Sequence, residues 1–410
     1  MTRIKQMIKK FTHLILIKIY YIFIKLLPIN GRVIVLESNH GRNYSDNPKY
    51  IYEEFVRRGL DKKYKFVWIL EDPNIEIVGR HRKVKRFGLK CFYYLAVAQS
   101  WIFNCREPEF LVKREGCTYF QTWHGTPLKK LALDMTVLNM GGESDLEAYK
   151  EQFHKSTRSW DFLISQNQYS TEKFKKAFAF EKEIWEIGYP RNDILIKGNN
   201  KEYIHQLKLK LGIPNDKKVI LYAPTWRDDE YHDYEWYKFN THMDLDYLKQ
   251  HLQDEYVLII KMHYLIMDKL DVEAYKGFVY VYTPEQDINE LYLVSDMLIT
   301  DYSSVMFDYS LLKRPMIFFT YDLEQYKNNI RGFYFDLFED APGPAVTDNA
   351  ELLESIRRID YEFSHKYKAS FERFYKKFNH KDDGNSSKRA VDKLLHNLPQ
   401  HPGDSSSSCR

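Results

Sequence analysis

Residues 295–309, SDMLITDYSSVMFDY, change their period at Thr300. Met297 to Thr300 is an apolar run of strand length, and Val305 to Leu312 carries helical spacing beyond a polar turn. A buried strand that passes through a short turn into a helix is half of a strand–helix–strand unit, whose strands run parallel. The alternation persists outward from there. Further strands are predicted at Val33–Glu37, Phe66–Leu70, Trp101–Asn104, Thr118–Thr122, Phe162–Ser165, Lys218–Tyr222, Val257–Lys261, Val279–Tyr282 and Met316–Thr320. Helices are predicted at Tyr50–Arg58, Tyr169–Phe180, Leu245–Leu252 and Ile288–Val294. The class is α/β. A chain of 410 residues exceeds what one hydrophobic core usually organises. Two facing Rossmann-like domains with a cleft between them are therefore expected, divided between Thr136 and Trp160. The division gives a leading segment 1–30, a first domain 31–150, a second domain 151–395 and a disordered tail 396–410 that contains Ser405 to Ser408 in a row.

Composition narrows the function. Hydrophobic residues make up 44% and charged residues 29%, the balance of a folded chain. Sixty-one Lys and Arg against 57 Asp and Glu leave a net charge of +4, too little to hold a nucleic acid by bulk charge. Cys91, Cys105, Cys117 and Cys409 show no C-x-x-C spacing, so neither a zinc module nor a disulfide scaffold is expected, and a reducing cytoplasm is the default. No G-x-G-x-x-G or P-loop occurs, which disfavours dinucleotide and ATP binding.

The first thirty residues depart from this balance. Arg3, Lys5, Lys9, Lys10, Lys18 and Lys25 supply six cations, and no acid precedes Glu37. The apolar run Phe11 to Leu27 is interrupted by His13, Lys18 and Lys25, which disqualifies it as a spanning helix. Leu27-Pro28-Ile29-Asn30 lacks the small residues of a signal-peptide cleavage site. Ile4, Ile8, Phe11, Ile15, Ile19, Ile22 and Leu26 recur at helical spacing with most cations off that stripe. This is the pattern of an amphipathic helix lying on an anionic membrane surface; the competing reading is a helix packed on the protein body.

Parallel sheets bind ligands beyond the carboxyl ends of their strands, so residues at strand exits carry the chemistry. The strand ending at Thr122 runs into Trp123-His124-Gly125-Thr126-Pro127, and His124 can accept a proton near neutral pH. The strand ending at Lys261 runs into Met262-His263, a second imidazole from the other half. Thr300 leads to Ser303 and Ser304, which either cap a helix or offer donors to a diphosphate. Asp308, one turn on, is a candidate for a polyol hydroxyl. Thr225, Trp226 and Arg227 follow Tyr222, and Arg191 sits in the turn after Gly188; both arginines are candidates for phosphate. No D-x-D cluster stands at a strand end, so no metal ion and no cofactor are expected.

The segments QTWHGTPLK at 121–129, GYPRND at 188–193, YAPTWRDD at 222–229, MHY at 262–264 and SDMLITDYSSVMFDY at 295–309 resemble the CDP-glycerol glycerophosphotransferase family, as do SNHGRNYSDNPKYIYEEF at 38–55 and RGFYFD at 331–336. The similarity runs from about Arg32 to about Leu395. It implies a GT-B arrangement, with residues 31–150 on the acceptor side and 151–395 binding the nucleotide. It implies transfer of glycerol phosphate from CDP-glycerol, or ribitol phosphate from CDP-ribitol, to a polyprenyl-diphosphate-linked disaccharide or glycerol phosphate acceptor in teichoic acid synthesis, with release of CMP. It places His124 as the base and His263 as its partner, and donor contacts at Trp123, Gly125, Thr126, Pro127, Arg191, Thr225, Trp226, Met262, Ser303, Ser304 and Asp308. Where the family allows Arg before Met262, this chain has Lys261, which keeps the charge without a bidentate fork. Family members sit on the cytoplasmic face of the cell membrane as peripheral proteins. The rivals are a GT-B transferase acting on nucleotide sugars and a surface module that binds polyol phosphate without turnover.

Overall fold

The computed structural model describes residues 2–138, 145–225, 231–233, 236–237, 242–261, 272–282, 286–323, 332–334 and 341–398, with the backbone alone for 2–6, 8, 9, 231–233 and 236–237. Trp226, Arg227, Met262, His263 and residues 399–410 lie outside them.

The first sheet contains β1 (Asn30–Glu37), β2 (Lys65–Leu70), β3 (His81–Lys85), β4 (Ala98–Phe103), β5 (Thr118–Gln121), β6 (Phe162–Ser165) and β7 (Glu183–Glu186) in the order β3-β2-β1-β4-β5-β6-β7. Every pairing in it is parallel. Helices α1 (Thr2–Leu26), α2 (Asp46–Arg57), α3 (Leu89–Val97), α4 (Leu146–Arg158) and α5 (Gln168–Ala177) cover it. Central strands such as Val33–Leu36 are buried on both faces, as a parallel sheet sandwiched by helices requires.

Two strands of the first sheet carry no signal in the sequence, for one reason. HRKVK and EIWE form the two edges and bury only Val84 and Trp185, so neither shows an apolar run.

Short helices α6 (Asp193–Lys197) and α7 (Lys201–Leu211) lead into the second lobe. It contains β8 (Lys218–Tyr222), the small antiparallel pair β9 (Tyr231–Asp233) and β10 (Trp236–Tyr237), α8 (Leu245–Leu252), β11 (Tyr256–Lys261) and β12 (Val279–Tyr282). These are followed by α9 (Ile288–Val294), β13 (Met297–Thr300), α10 (Val305–Tyr309), β14 (Met316–Phe319) and β15 (Ala345–Val346). Its parallel sheet is ordered β12-β11-β8-β13-β14-β15. Helices α11 (Asn349–His365), α12 (Lys368–Phe378) and α13 (Ser386–Asn397) are the last elements among the described residues.

Two boundaries are corrected. Phe162–Ser165, placed in the second domain by the sequence, pairs with Thr118–Gln121, and the first sheet continues to Glu186. The last helix also returns: Ala390, Val391 and Leu394 of α13 pack with Ile34, Ile51 and Phe55 of the first lobe. Its N-terminal amides at Ser386 and Ser387 are capped by the Asp193 carboxylate at 2.8 and 2.9 Å. Neither long-range pairing leaves a local signature.

Helix α1 lies against the first lobe. Leu16, Ile17, Tyr20, Phe23 and Ile24 face the core, and Tyr20 donates to the Val112 carbonyl at 2.7 Å. Phe11, Leu14, Ile15, Ile22 and Leu26 point outward, Leu26 being 76% exposed. The packed reading of this segment is met on one face; the other face is apolar and uncovered in the monomer. No helix among the described residues is long and apolar enough to cross a membrane.

Candidate active site

A cleft of about 380 Å³ lies between the lobes, at the carboxyl ends of both parallel sheets. Asn39, Asp46 and His124 line it from one side, and Thr225, Lys261, Ser303 and Asp308 from the other.

His124 leaves β5 on a strained turn. Trp123 before it has φ +53°, a left-handed conformation that bulky residues rarely adopt. Three contacts over-determine that turn. The Trp123 amide donates to Gln121 Oε1 at 2.9 Å, and Asn47 Nδ2 donates to the Thr122 and Trp123 carbonyls at 3.3 and 3.2 Å. The Trp123 indole is 7% exposed and packs with Phe153, Trp160, Phe174 and Phe178. It stacks under the His124 ring at 4.4 Å between centroids, so the residue expected at the donor serves as the floor of the imidazole.

The His124 Nδ1 lies 2.8 Å from the Asn104 carbonyl oxygen. A carbonyl only accepts, so the proton sits on Nδ1 and the Nε2 lone pair is free. The ring is exposed on its cleft side, and protein packs closely around the rest of it. That burial lowers its pKa, against the smaller raising influences of the Asn104 bond and the Asp46 carboxylate, and Arg191 lowers it further. The neutral imidazole is a base at physiological pH.

The rest of the histidine loop is clamped. Thr126 Oγ1 donates to Gln166 Oε1, and Gln166 Nε2 donates to Asp382 Oδ2 at 2.8 Å. The Pro127 carbonyl accepts from Tyr169 at 2.9 Å. Leu128 and Lys130 exchange backbone bonds with Tyr334 and Gly332 of the second lobe. Gly125 lies close against Ser304: a Cβ there would stand 3.1 Å from its Oγ, and the serine side chain would have to give way. That contact brings the histidine turn and the serine turn together across the cleft, as the sequence expected of Ser303 and Ser304. Ser304 makes no side-chain cap to α10, which leaves its hydroxyl facing the cleft. Thr225 and Lys261 also line the cleft; the Thr225 amide donates to Asp301 at 2.8 Å, and Lys261 Nζ to the Gln286 carbonyl at 2.9 Å.

The sequence assigns Arg191 to phosphate and Asp308 to a polyol hydroxyl; both line the cleft, and here they also pair with each other. Arg191 Nη2 donates to Asp308 Oδ2 at 2.9 Å and Nη1 to Asp46 Oδ1 at 2.8 Å, with both carboxylates largely buried. Asn192 Nδ2 holds Asp308 Oδ1 at 3.0 Å. A second tie joins the lobes at the N-terminus of α9, where Asp287 accepts from Lys49 at 2.6 Å and Tyr50 at 2.9 Å.

Asp46, Asn47 and Asn104 were missed as individual site residues. The first two lay within the 38–55 segment, and their signal was the strand end at Glu37. Glu37, His40 and Glu107 form a grouping of metal-ligand types, but Arg86 already bonds both carboxylates, at 3.2 and 2.7 Å.

A family model described as CDP-Glycerol:Poly(glycerophosphate) glycerophosphotransferase matches residues 19–396. The teichoic acid poly(glycerol phosphate) polymerase of Bacillus spizizenii is 44% identical over 387 residues, covering 93% of this chain and 97% of that protein. The teichoic acid glycerol-phosphate transferase of Staphylococcus aureus is 43% identical over 364 residues, covering 88% and 92%. A solved variant of the wall teichoic acid polymerase TagF, soaked with CDPG, superposes with a TM-score of 0.87 at 40% identity, covering 96% of this chain and 98% of that one.

Proposed function

The chain belongs to the CDP-glycerol:poly(glycerophosphate) glycerophosphotransferase family and is a CDP-glycerol glycerophosphotransferase; from that premise we propose that it moves glycerol phosphate from CDP-glycerol to a hydroxyl of a lipid-linked teichoic acid acceptor at the cytoplasmic face of the membrane. The observation that carries the mechanism is the His124 tautomer, fixed by the Asn104 carbonyl with Nε2 toward the cleft. The acceptor oxygen attacks the β-phosphorus of CDP-glycerol in line. Its proton passes to His124 Nε2 as the new O–P bond forms. The bond from the β-phosphorus to the bridging oxygen breaks, and CMP leaves with that electron pair. Lys261 and the Ser303 and Ser304 hydroxyls, residues that line the cleft, are assigned to steady the diphosphate charge. Trp226, Arg227, Met262 and His263 complete this reading from the sequence, with His263 as the second imidazole. The two lobes around one cleft suit a GT-B arrangement.

Membrane attachment is assigned to α1. Its outward face is apolar, and Lys10, Lys18 and Lys25 are exposed along it. Glycerol is preferred to ribitol as the polyol because the relatives at 43–44% identity are glycerol phosphate enzymes.

The test is CMP release from CDP-glycerol in the presence of a synthetic lipid-linked primer. Replacing His124 with Ala is expected to slow release about 10²–10⁴-fold, the usual worth of a general base, with CDP-glycerol binding retained. A near-wild-type rate would end the base assignment. Consumption of a UDP-sugar in place of CDP-glycerol would favour the glycosyltransferase reading.

A further inference from the structure

We propose that Asp46 is a positioning residue for the base His124, and that Arg191 ties its carboxylate to the second lobe so that closure of the lobes and alignment of the base are one event. The inference rests on the reading of His124 as base. It starts from an unbroken run of hydrogen bonds. His124 Nδ1 donates to the Asn104 carbonyl at 2.8 Å, and Asn104 Nδ2 donates to Asp46 Oδ2 at 2.6 Å. Arg191 Nη1 donates to Asp46 Oδ1 at 2.8 Å, and its Nη2 to Asp308 Oδ2 on α10 at 2.9 Å. The run begins at the base in one lobe and ends in the other.

Asp46 is built for that place. It opens α2 with φ +58°, in the left-handed region that Asp and Asn tolerate better than most residues. Such strain persists only where the surroundings over-determine it. Besides Asn104 and Arg191, its carboxylate accepts from the Asn47 amide at 2.7 Å. Asn47 in turn grips the carbonyls of Thr122 and Trp123 and accepts from the Arg191 amide at 3.2 Å. The pair Asp46-Asn47 thus holds the histidine turn and Arg191 at once. Asn104 has no second way to move, since its amide group is also bonded to Asn39, at 2.8 and 3.0 Å. An imidazole misplaced by about 1 Å costs a reaction on the order of 10²-fold, so a main-chain acceptor fixed this firmly bears on rate. Among the described residues, the charged and titratable groups that act on His124 are Asp46 from α2, Arg191 from the turn after β7, and His40 from the loop after β1.

The test uses the full chain with CDP-glycerol and a lipid-linked primer. Asp46→Asn keeps the size and the left-handed tolerance but removes the charge. Asn104→Ala cuts the link while leaving the main-chain acceptor of His124 in place, and it tests the chain independently should Asp46→Asn fold poorly. Each is expected to lower kcat about 10–100-fold with the KM for CDP-glycerol within about twofold. The double variant is expected to be no slower than the slower single, and Asp46→Asn to add nothing in a His124→Ala background, because groups acting as a unit are not additive. The acid limb of kcat/KM is expected to move down in Asp46→Asn, where an anion favouring the imidazolium is gone. It should move up in Arg191→Gln, where a cation opposing it is gone. Wild-type kcat in both Asp46→Asn and Asn104→Ala, multiplicative losses with His124→Ala, or limbs that move the same way would overturn the proposal. A crippled His124→Ala beside active Asp46→Asn and Asn104→Ala would overturn it alone. An active His124→Ala would remove the base reading first.

Discussion

The fate of a side chain here depends on what the fold leaves open around it. His124 and Arg191 both follow strands, and the sequence marks the first as a base and the second as a phosphate contact; His124 faces the cleft with a free lone pair, whereas Arg191 is held between two carboxylates at the cleft wall. The His124 pKa lies below its ordinary value because burial opposes the imidazolium. The base therefore stays neutral to lower pH, and the acid limb of kcat/KM is expected below about 6.5; a pH–rate profile with its limb above that value would contradict the assignment. Asp382 moves the other way. Buried among Gln166, Tyr189 and Asn192, its pKa is pushed up to about 7. Its folded pKa exceeds its unfolded one, so the folded state binds the proton more tightly. The stability this contributes is complete below the unfolded value of about 3.9 and is lost as pH rises through about 7. Asp382→Asn is expected to flatten the fall of the urea midpoint across that window. Some slope should remain, because burial also raises Glu37, Asp193 and Asp308.

At the scale of the element, the turns decide more than the strands and helices they join. Gly188 shows this between β7 and Arg191. It has φ +76°, and a Cβ would stand 2.4 Å from Ser386 Oγ and 3.0 Å from the Lys381 carbonyl. Gly188→Ala is expected to cost about 1–3 kcal/mol, the usual strain of a left-handed residue, and to lower turnover by loosening the Arg191 turn; denaturant titration and CMP release measure the two effects. The first helix makes the complementary point. Its inward residues were legible only as hydrophobic, because periodicity does not say which of two apolar faces meets protein. Ile15 and Ile22 face outward, at 42% and 51% exposed. Replacing both with Glu is expected to lower co-sedimentation with phosphatidylglycerol vesicles at least tenfold without changing the thermal midpoint. Undiminished binding would place the membrane surface elsewhere.

At the scale of the molecule, two buried ties hold the lobes around the cleft: Asp46–Arg191–Asp308, and Lys49 with Tyr50 on Asp287. Removing Lys49 strands a buried carboxylate, so Lys49→Met is expected to destabilise the protein by about 3 kcal/mol, the lower range for breaking a buried pair. It should also widen the spread of spin-label distances between the lobes; an unchanged distribution would mean that this contact is incidental to closure. The alternation of strand and helix, the parallel sheets, the strand-exit position of His124, Ser303 and Ser304, and the amphipathic character of residues 2–26 are all legible in the chain alone. These follow from local period and from the rule that parallel sheets carry chemistry at their carboxyl ends. It took the long-range packing to show that Phe162–Ser165 belongs to the first sheet, that α13 returns to cover it, and that Arg191 is bonded between Asp46 and Asp308. Each of those joins residues more than a hundred positions apart or seats a strand at or near a sheet's edge. A contact of that kind is fixed by which surfaces remain to be buried once the local elements exist, and no window of sequence contains that information.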